Sequence, residues 1–144
     1  MIIEQERNIF DVSETYALAH CVSEDCEMGA GIALEFEKRF NMKHVIRIRN
    51  SGINTCCMYG AVYEKNIRPI FNLITKKKYY QKPTYESLKL SLIDMKKQCM
   101  AHKIKLIAMP KIGCGLDKLK WEIVKTILIN VFKDTDIEIL VCYL

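Results

Sequence analysis

Two short glycine-containing segments have the residue types of anion-binding loops. Glycine loop 1 is Met28-Gly29-Ala30-Gly31, and glycine loop 2 is Lys111-Ile112-Gly113-Cys114-Gly115-Leu116-Asp117. Glycine lets the backbone approach a ligand closely and adopt positive φ, so consecutive amides can point at one phosphate. A tight turn between a strand and a helix would explain either loop taken alone. Two such loops in one small domain favour an anion site, and together they would suit a diphosphate.

A lysine-rich segment offers a second kind of chemistry. The lysine loop, Lys76-Lys77-Lys78-Tyr79-Tyr80-Gln81-Lys82, follows an apolar run. Such charges commonly belong to a solvated loop, but lysines beside tyrosines can also bind phosphates and stack on nucleic acid bases. In a third interpretation Lys76 is a nucleophile, because neighbouring positive charges and partial burial favour a neutral amine, although a bound diphosphate would oppose this. The residues alone leave these three interpretations open.

Asp117 and Cys114 have simpler explanations than catalysis when each is taken alone. Asp117 lies where a helix is predicted to begin, so it would serve as the cap or first-turn acid of that helix. Cys114 lies between two glycines, and no histidine is placed to activate it as a nucleophile. We therefore expect Cys114 to fill a tight turn.

The composition excludes several functional classes. The chain contains neither Gly-x-x-x-x-Gly-Lys-Ser/Thr nor Gly-x-Gly-x-x-Gly, which argues against P-loop phosphoryl transfer and dinucleotide redox chemistry. Its seven cysteines form no Cys-x-x-Cys, and its three histidines lack metal-ligand spacing, so we expect no metal site and reduced thiols in the nucleus or cytoplasm. No apolar run approaches the ~18 residues of a membrane helix, so no membrane partner is expected. The net charge of +5 favours anionic partners.

The elements that must position these loops follow from the apolar pattern. Strands are predicted over residues 16–22, 57–64, 67–75, 105–109 and 137–144, and helices over 32–40, 84–102 and 119–132. Alternating strands and helices predict a single α/β domain, residues 1–144, with a mostly parallel sheet covered on both faces. Both glycine loops would join a strand directly to a helix, whose N-terminal amides add partial positive charge. Ligands of such folds bind at the carboxyl ends of the strands, where all three loops should meet.

Taken together, these segments resemble the macrodomain family over essentially the whole chain, and within it the branch of terminal ADP-ribose protein glycohydrolases. The matching residues are 19–26, 28–33, 73–77, 82–86 and 109–122. The resemblance implies a three-layer α/β/α fold with a central mixed, mostly parallel sheet. It also implies an enzyme that removes mono-ADP-ribose from glutamate and aspartate side chains and deacylates O-acetyl-ADP-ribose, without a cofactor.

The resemblance further implies roles for individual residues. Lys76 matches the catalytic lysine, which forms a covalent lysyl-ADP-ribose adduct, and Asp117 matches the acid–base residue that helps to resolve it. Positions matching substrate contacts are Asn8, Ile9, Ser23, Met28, Gly29, Ala30, Gly31, Lys111, Ile112, Gly113, Cys114, Gly115, Leu116 and Leu144. The implied partners are ADP-ribose, mono-ADP-ribosylated proteins and, from related enzymes, ADP-ribosylated nucleic acid. A compact single domain suggests a monomer.

One position departs from the family pattern, and two other functions compete. The family usually has Gly-Asp where this chain has Arg7-Asn8, and that aspartate accepts a hydrogen bond from the adenine amine. Asn8 can accept through its amide oxygen, but without charge and more weakly, so we expect weakened adenosine recognition. The competing functions are a non-catalytic ADP-ribose reader and a phosphatase of ADP-ribose 1″-phosphate. Lys76 and Asp117 together favour the hydrolase.

Overall fold

The computed structural model describes residues 1–144, which form one sheet between two layers of helices. The strands are β1 (Ile2–Glu6), β2 (Ala17–Ser23), β3 (Cys56–Val62), β4 (Ile67–Lys76), β5 (Leu106–Met109) and β6 (Glu138–Tyr143). The helices are α1 (Gly31–Phe40), α2 (Lys43–Arg49), α3 (Tyr85–His102) and α4 (Trp121–Phe132), with a short 3-10 helix at Ile9–Asp11. None of the helices combines the length and apolar content needed to cross a membrane.

The sheet has the order β1-β6-β5-β2-β4-β3, and its central pairings are parallel. Only β3 runs antiparallel, because it forms a hairpin with β4 that is closed by the Tyr63 amide donating to the Asn66 carbonyl at 2.8 Å. The mixed, mostly parallel sheet expected from the sequence is therefore confirmed. A consequence for function is that β1, β6, β5, β2 and β4 all end at the same edge.

Each face of the sheet has its own hydrophobic core. On one face, α3 and α4 bury the stripe of Leu88, Leu92, Met95 and Cys99 that the sequence predicts. On the other face, α1 and α2 contribute Phe36, Met42 and Ile46, each with no exposed surface. Each large apolar side chain that is fully buried contributes about 2 kcal/mol by removal from water. The two cores establish the three-layer α/β/α arrangement.

The structure differs from the predicted elements at three places. Strand β1 was not predicted, because it is a sheet edge whose residues are half-buried or exposed and form no apolar run. Helix α2 was not predicted either, since it is only 7 residues long and buries a single side chain, Ile46. Helix α4 begins at Trp121 rather than at 119, because Lys120 has an extended backbone (φ −84°, ψ 126°) and is the N-cap residue.

Candidate functional site

The predicted site residues lie along one edge of the sheet, at the carboxyl ends of five neighbouring strands. Asn8 follows β1, Leu144 follows β6, glycine loop 2 follows β5, Ser23 ends β2 before glycine loop 1, and Lys76 ends β4. Neighbouring strands are about 4.8 Å apart, so the four steps from β1 to β4 span about 19 Å. This edge could therefore bind an elongated ligand rather than a compact one.

At the β4 end of this edge, the structure brings Lys76 and Asp117 into direct contact. Lys76 Nζ donates to Asp117 Oδ1 at 2.8 Å, and the two side chains are only 15% and 16% exposed. Lys76 is held by its strand, and its carbonyl accepts a hydrogen bond from the Glu24 amide at 2.8 Å. Asp117 does not cap α4, because the N-cap residue is Lys120. The simple capping role considered for Asp117 is therefore excluded.

The charge environment of Lys76 also differs from the one expected from its sequence neighbours. The side chains of Lys77 and Lys78 form no ion pair or hydrogen bond, whereas the carboxylate of Asp117 contacts the amine directly. A carboxylate at this distance stabilises the ammonium and is also placed to accept its proton. The arrangement is a partly buried pair of an amine and a carboxylate in direct contact.

The two glycine loops supply unpaired backbone donors beside this pair. The amides of residues 29–33 and 115–117 donate no hydrogen bond within the protein. The loops come from the neighbouring strands β2 and β5, and they touch, because a Cβ on Gly31 would lie 3.0 Å from Leu116 Cδ1. Unpaired amides converging from two loops are suited to binding an anionic group.

Helix dipoles contribute to only one of these loops. Helix α1 begins at Gly31 without a capping side chain and without an acidic residue in its first turn, so its N-terminus faces glycine loop 1 as predicted. Helix α4 begins only at Trp121, and a turn through Lys118 separates it from glycine loop 2. The expectation that each loop opens directly into a helix is thus correct for glycine loop 1 and wrong for glycine loop 2.

Left-handed backbone conformations concentrate around both glycine loops. Met28 (φ +49°) and Gly31 (φ +59°) adopt them in the first loop, while Gly113 (φ +72°) and Lys118 (φ +61°) do so in and after the second. Such conformations cost a non-glycine residue about 1 kcal/mol or more. The strained residues are therefore Met28 in glycine loop 1 and Lys118 directly after glycine loop 2, while Gly31 and Gly113 adopt positive φ without strain.

Asn8, the residue expected to contact adenine, lies at the far end of the edge together with two other predicted substrate contacts, Ile9 and Leu144. The Arg7 amide donates to the Tyr143 carbonyl at 2.9 Å, which places Asn8 beside Leu144. Asn8 Oδ1 already accepts a hydrogen bond from the Phe10 amide at 2.9 Å. Ile9 is buried in the core at 5% exposure, whereas Leu144 is exposed.

The other predicted contacts are divided between the core and the loops. Met28 and Ile112 are buried in the two cores, so their side chains anchor the glycine loops. Ser23 Oγ donates to Asp25, which also accepts the Tyr79 amide at 3.2 Å and so links the end of β2 to the lysine loop.

Neither Cys114 nor Lys111 is placed as a reactive group. Cys114 Sγ donates to the Ile112 carbonyl at 3.3 Å, and burial raises the pKa of this thiol, which argues against a nucleophile. Lys111 Nζ lies 4.6 Å from the centre of the Tyr143 ring in a cation–π contact. No cluster of three His, Cys, Asp or Glu side chains is arranged to hold a metal ion.

Two contacts to glycine loop 2 had no role in the sequence analysis. Lys82 Nζ donates to the Leu116 carbonyl at 2.8 Å, and the Lys120 amide, just beyond the loop, donates to Tyr85 Oη at 3.0 Å. The available signal was that segment 82–86 carries part of the family resemblance, but nothing in its residue types indicates a contact with this loop.

Comparison with known proteins agrees with this architecture. The model of the family described as Macro domain matches residues 19–128. This chain is a macrodomain. It is 44% identical over 136 residues to the proteins named ADP-ribose glycohydrolase OARD1 of Homo sapiens and Bos taurus, covering 93% of this chain and 86% of each relative.

Solved structures share the fold of this macrodomain. The macrodomain of Mycobacterium tuberculosis DarG superposes with a TM-score of 0.89 at 24% identity, covering 99% of this chain and 97% of that one. Thermosipho africanus DarTG, solved in complex with ADP-ribose, gives a TM-score of 0.78 at 18% identity, covering 90% of this chain and 38% of that one. These similarities confirm the three-layer fold.

Proposed function

We propose that this macrodomain is an ADP-ribosyl hydrolase that removes mono-ADP-ribose from glutamate and aspartate side chains and deacylates O-acetyl-ADP-ribose. The observation that carries the proposal is the 2.8 Å contact between Lys76 and Asp117 beside two loops of unpaired amides. The 44% identity to proteins named ADP-ribose glycohydrolase OARD1 supports the same activity.

The proposed binding mode follows the order of the strands. Adenosine binds beside Asn8 and Leu144 at the ends of β1 and β6, and the diphosphate lies on the amides of the two glycine loops over β5 and β2. The distal ribose then reaches the end of β4, where Lys76 and Asp117 stand. The length of about 19 Å between β1 and β4 supports an extended ligand.

In the first proposed step, Asp117 accepts a proton from the Lys76 ammonium, which frees the amine to attack C1″ of the distal ribose. A nitrogen–carbon bond forms while the bond from C1″ to the acceptor oxygen breaks, and the acceptor leaves as a carboxylate that needs no proton. Asp117 then gives this proton to solvent. In the second step its carboxylate accepts a proton from a water molecule, whose oxygen forms a bond to C1″ while the bond from C1″ to the lysine nitrogen breaks. ADP-ribose is released, and Lys76 recovers its proton from Asp117, so water is the only co-reactant.

A feature of the lysine loop favours a second class of acceptor, ADP-ribosylated nucleic acid. Tyr79 and Tyr80 are 60% and 70% exposed, and the side chains of Lys77 and Lys78 have no partner. The backbone beneath them is fixed, since the Lys78 amide donates to Gln81 Oε1 at 2.9 Å. Exposed rings and free ammonium groups on a fixed loop are suited to base stacking and phosphate contact.

The decisive experiment incubates the purified chain with a peptide carrying glutamate-linked mono-ADP-ribose. We expect the wild type and a Lys89→Ala control to release ADP-ribose from the peptide. Lys76→Ala should bind free ADP-ribose but should not cleave it from the peptide. Binding without release by the wild type would instead identify a reader. Phosphate release from ADP-ribose 1″-phosphate that persists in Lys76→Ala would identify a phosphatase.

A parallel assay with an ADP-ribosylated oligonucleotide tests the second acceptor. A Tyr79→Ala/Tyr80→Ala variant should lose activity on the oligonucleotide and keep activity on the peptide.

A further inference from the structure

We propose that Lys82 is a positioning residue that holds Asp117 against Lys76; the inference rests on the proposed hydrolase activity. Lys82 Nζ donates to the carbonyl of Leu116, the residue directly before Asp117, at 2.8 Å. Lys82 is exposed and would ordinarily be taken for a solvated surface charge. Its contact instead joins the lysine loop to glycine loop 2 at the peptide unit that carries the catalytic acid–base residue.

Apart from the buried side chain of Ile112, which packs in the core, few contacts from outside hold this part of the chain. Only three side chains from elsewhere form hydrogen bonds with residues 112–120, namely those of Lys76, Lys82 and Tyr85, and all three belong to segment 76–85. The remaining hydrogen bonds are internal turns, such as the Leu119 amide to the Gly113 carbonyl at 2.7 Å. The position of Asp117 therefore depends on segment 76–85.

Lys82 can act as a support because its own backbone is anchored. The next residue, Pro83, has a fixed φ angle. Thr84 then begins α3 with a capping box, in which Thr84 Oγ1 accepts a hydrogen bond from the Ser87 amide at 3.0 Å. Ser87 Oγ donates to the Thr75 carbonyl at 2.7 Å, which fixes the start of α3 to the end of β4.

These contacts close a ring that includes both catalytic candidates. The ring runs from Thr75 through Ser87 to the start of α3, from Lys82 to the Leu116 carbonyl, and from Asp117 back to Lys76. Of the side chains in this ring, only Lys82 links the start of α3 to glycine loop 2. Loss of its hydrogen bond would leave Asp117 held from outside the loop by Lys76 itself and by the more distant Tyr85. A displacement of about 1 Å at a reacting group can cost up to about a hundredfold in rate.

The chain offers a matched control for the charge of Lys82. Lys89 lies on the exposed surface of α3 and carries the same charge, but its side chain forms no hydrogen bond or ion pair. Lys82→Met and Lys89→Met therefore remove one positive charge each, and only the former removes a hydrogen bond to glycine loop 2. Lys82→Arg retains a donor that can reach the Leu116 carbonyl.

The test combines steady-state hydrolysis with amide hydrogen exchange. For Lys82→Met we expect kcat to fall about tenfold. The affinity for ADP-ribose should fall less, by about threefold at most, because the contacts at Asn8 and glycine loop 1 are unchanged and only glycine loop 2 is loosened. Lys82→Arg should recover most of kcat, and Lys89→Met should match the wild type. The amides of Lys118 and Leu119, which bond within the loop, should exchange faster in Lys82→Met alone.

The outcomes separate this inference from the proposed function. Unchanged kcat and unchanged exchange in Lys82→Met would overturn the positioning role, as would an equal loss of kcat in Lys89→Met. If the wild type releases no ADP-ribose, the proposed function fails, and the exchange rates of Lys118 and Leu119 still decide whether Lys82 holds the loop.

Discussion

Lys76 Nζ and Asp117 Oδ1 lie 2.8 Å apart, although 41 residues separate them along the chain. Their strands are not neighbours, since β2 lies between β4 and β5. The contact forms because Lys76 ends β4 while Asp117 stands on the loop that continues from β5, at the same edge of the sheet. The pair is therefore a product of strand order, and it is the first target for mutation.

Asp117→Asn should separate the two halves of the proposed reaction. Asparagine is isosteric with aspartate but cannot take up a proton. Formation of the adduct can still proceed, because Lys76 beside a neutral amide loses the carboxylate that stabilises its ammonium and can give its proton to solvent. Resolution should slow more, because the attacking water has no other base within reach. After incubation with ADP-ribosylated peptide, intact-mass spectrometry should show an accumulated ADP-ribosyl adduct in Asp117→Asn. Lys76→Ala should show none. An adduct of equal yield in Lys76→Ala would place the nucleophile elsewhere.

Asn8→Asp should strengthen the binding of ADP-ribose. The Asn8 amide oxygen already accepts the Phe10 amide, and a carboxylate at this position has more acceptor capacity and a charge to offer the adenine amine. An increase of about fivefold, or ~1 kcal/mol, is expected by calorimetry. Asn66→Asp, on the β3–β4 turn, adds the same charge and should leave the affinity unchanged. Equal affinities for Asn8→Asp and the wild type would contradict the prediction.

Two glycines of glycine loop 2 should respond differently to alanine. Gly113 has φ +72°, and an added Cβ would lie 2.8 Å from Leu119 Cδ1, whereas Gly115 has no atom within 4 Å of that position. Gly113→Ala should lower the free energy of unfolding by about 1–2 kcal/mol. Gly115→Ala should be neutral or slightly stabilising, because alanine restricts the unfolded chain. Urea unfolding midpoints measure both, and equal midpoints would show that Gly113 is not conformationally required.

Stability should decrease in mild acid because of His20. Its ring is fully buried, stacks on Phe36 with centroids 3.8 Å apart, and lies 2.6 Å from Asn72 Oδ1 through Nε2, while Nδ1 has no partner. Burial lowers the pKa of His20 from 6.5 to about 4. In the unfolded chain His20 is therefore protonated below pH ~6.5, whereas in the folded protein it stays neutral until the pH falls to about 4.

The sign and size of this effect can be measured. The free energy of unfolding should be unaffected by His20 above pH ~6.5 and should fall by up to roughly 3 kcal/mol as the pH drops toward 4. Urea unfolding of the wild type and of His20→Gln over this pH range isolates the contribution of His20, because glutamine does not titrate. Parallel pH profiles for the two proteins would rule out His20 as the cause.

The sequence predicts the helices and strands that bury long apolar stripes. It does not predict the elements that bury only a few side chains. Helix α3 is recognisable because Leu88, Leu92, Met95 and Cys99 recur on one face. Strand β1 and helix α2 bury too few side chains to leave such a pattern, and neighbours on the sheet and in the core stabilise them instead.

The candidate site is only partly visible in the sequence. Glycine loops and a lysine after a strand can be identified from residue types, and the family resemblance assigns Lys76 and Asp117 to one reaction. The distance in space between Lys76 and Asp117 depends on strand order, which local sequence patterns do not encode. The hydrogen bond of Lys82 depends further on how two loops pack. An exposed lysine in the sequence therefore gives no indication that its side chain supports another loop.

The position of β6 has a consequence for how the protein is made. β6 is the last strand along the chain, yet it lies inside the sheet, where it pairs with β1 on one side and β5 on the other. During synthesis, β1 emerges first but has no partner strand until β6 has left the ribosome. A nascent chain that stops before β6 would therefore lack the proposed adenosine end of the edge, so binding of ADP-ribose should begin only after β6 has left the ribosome.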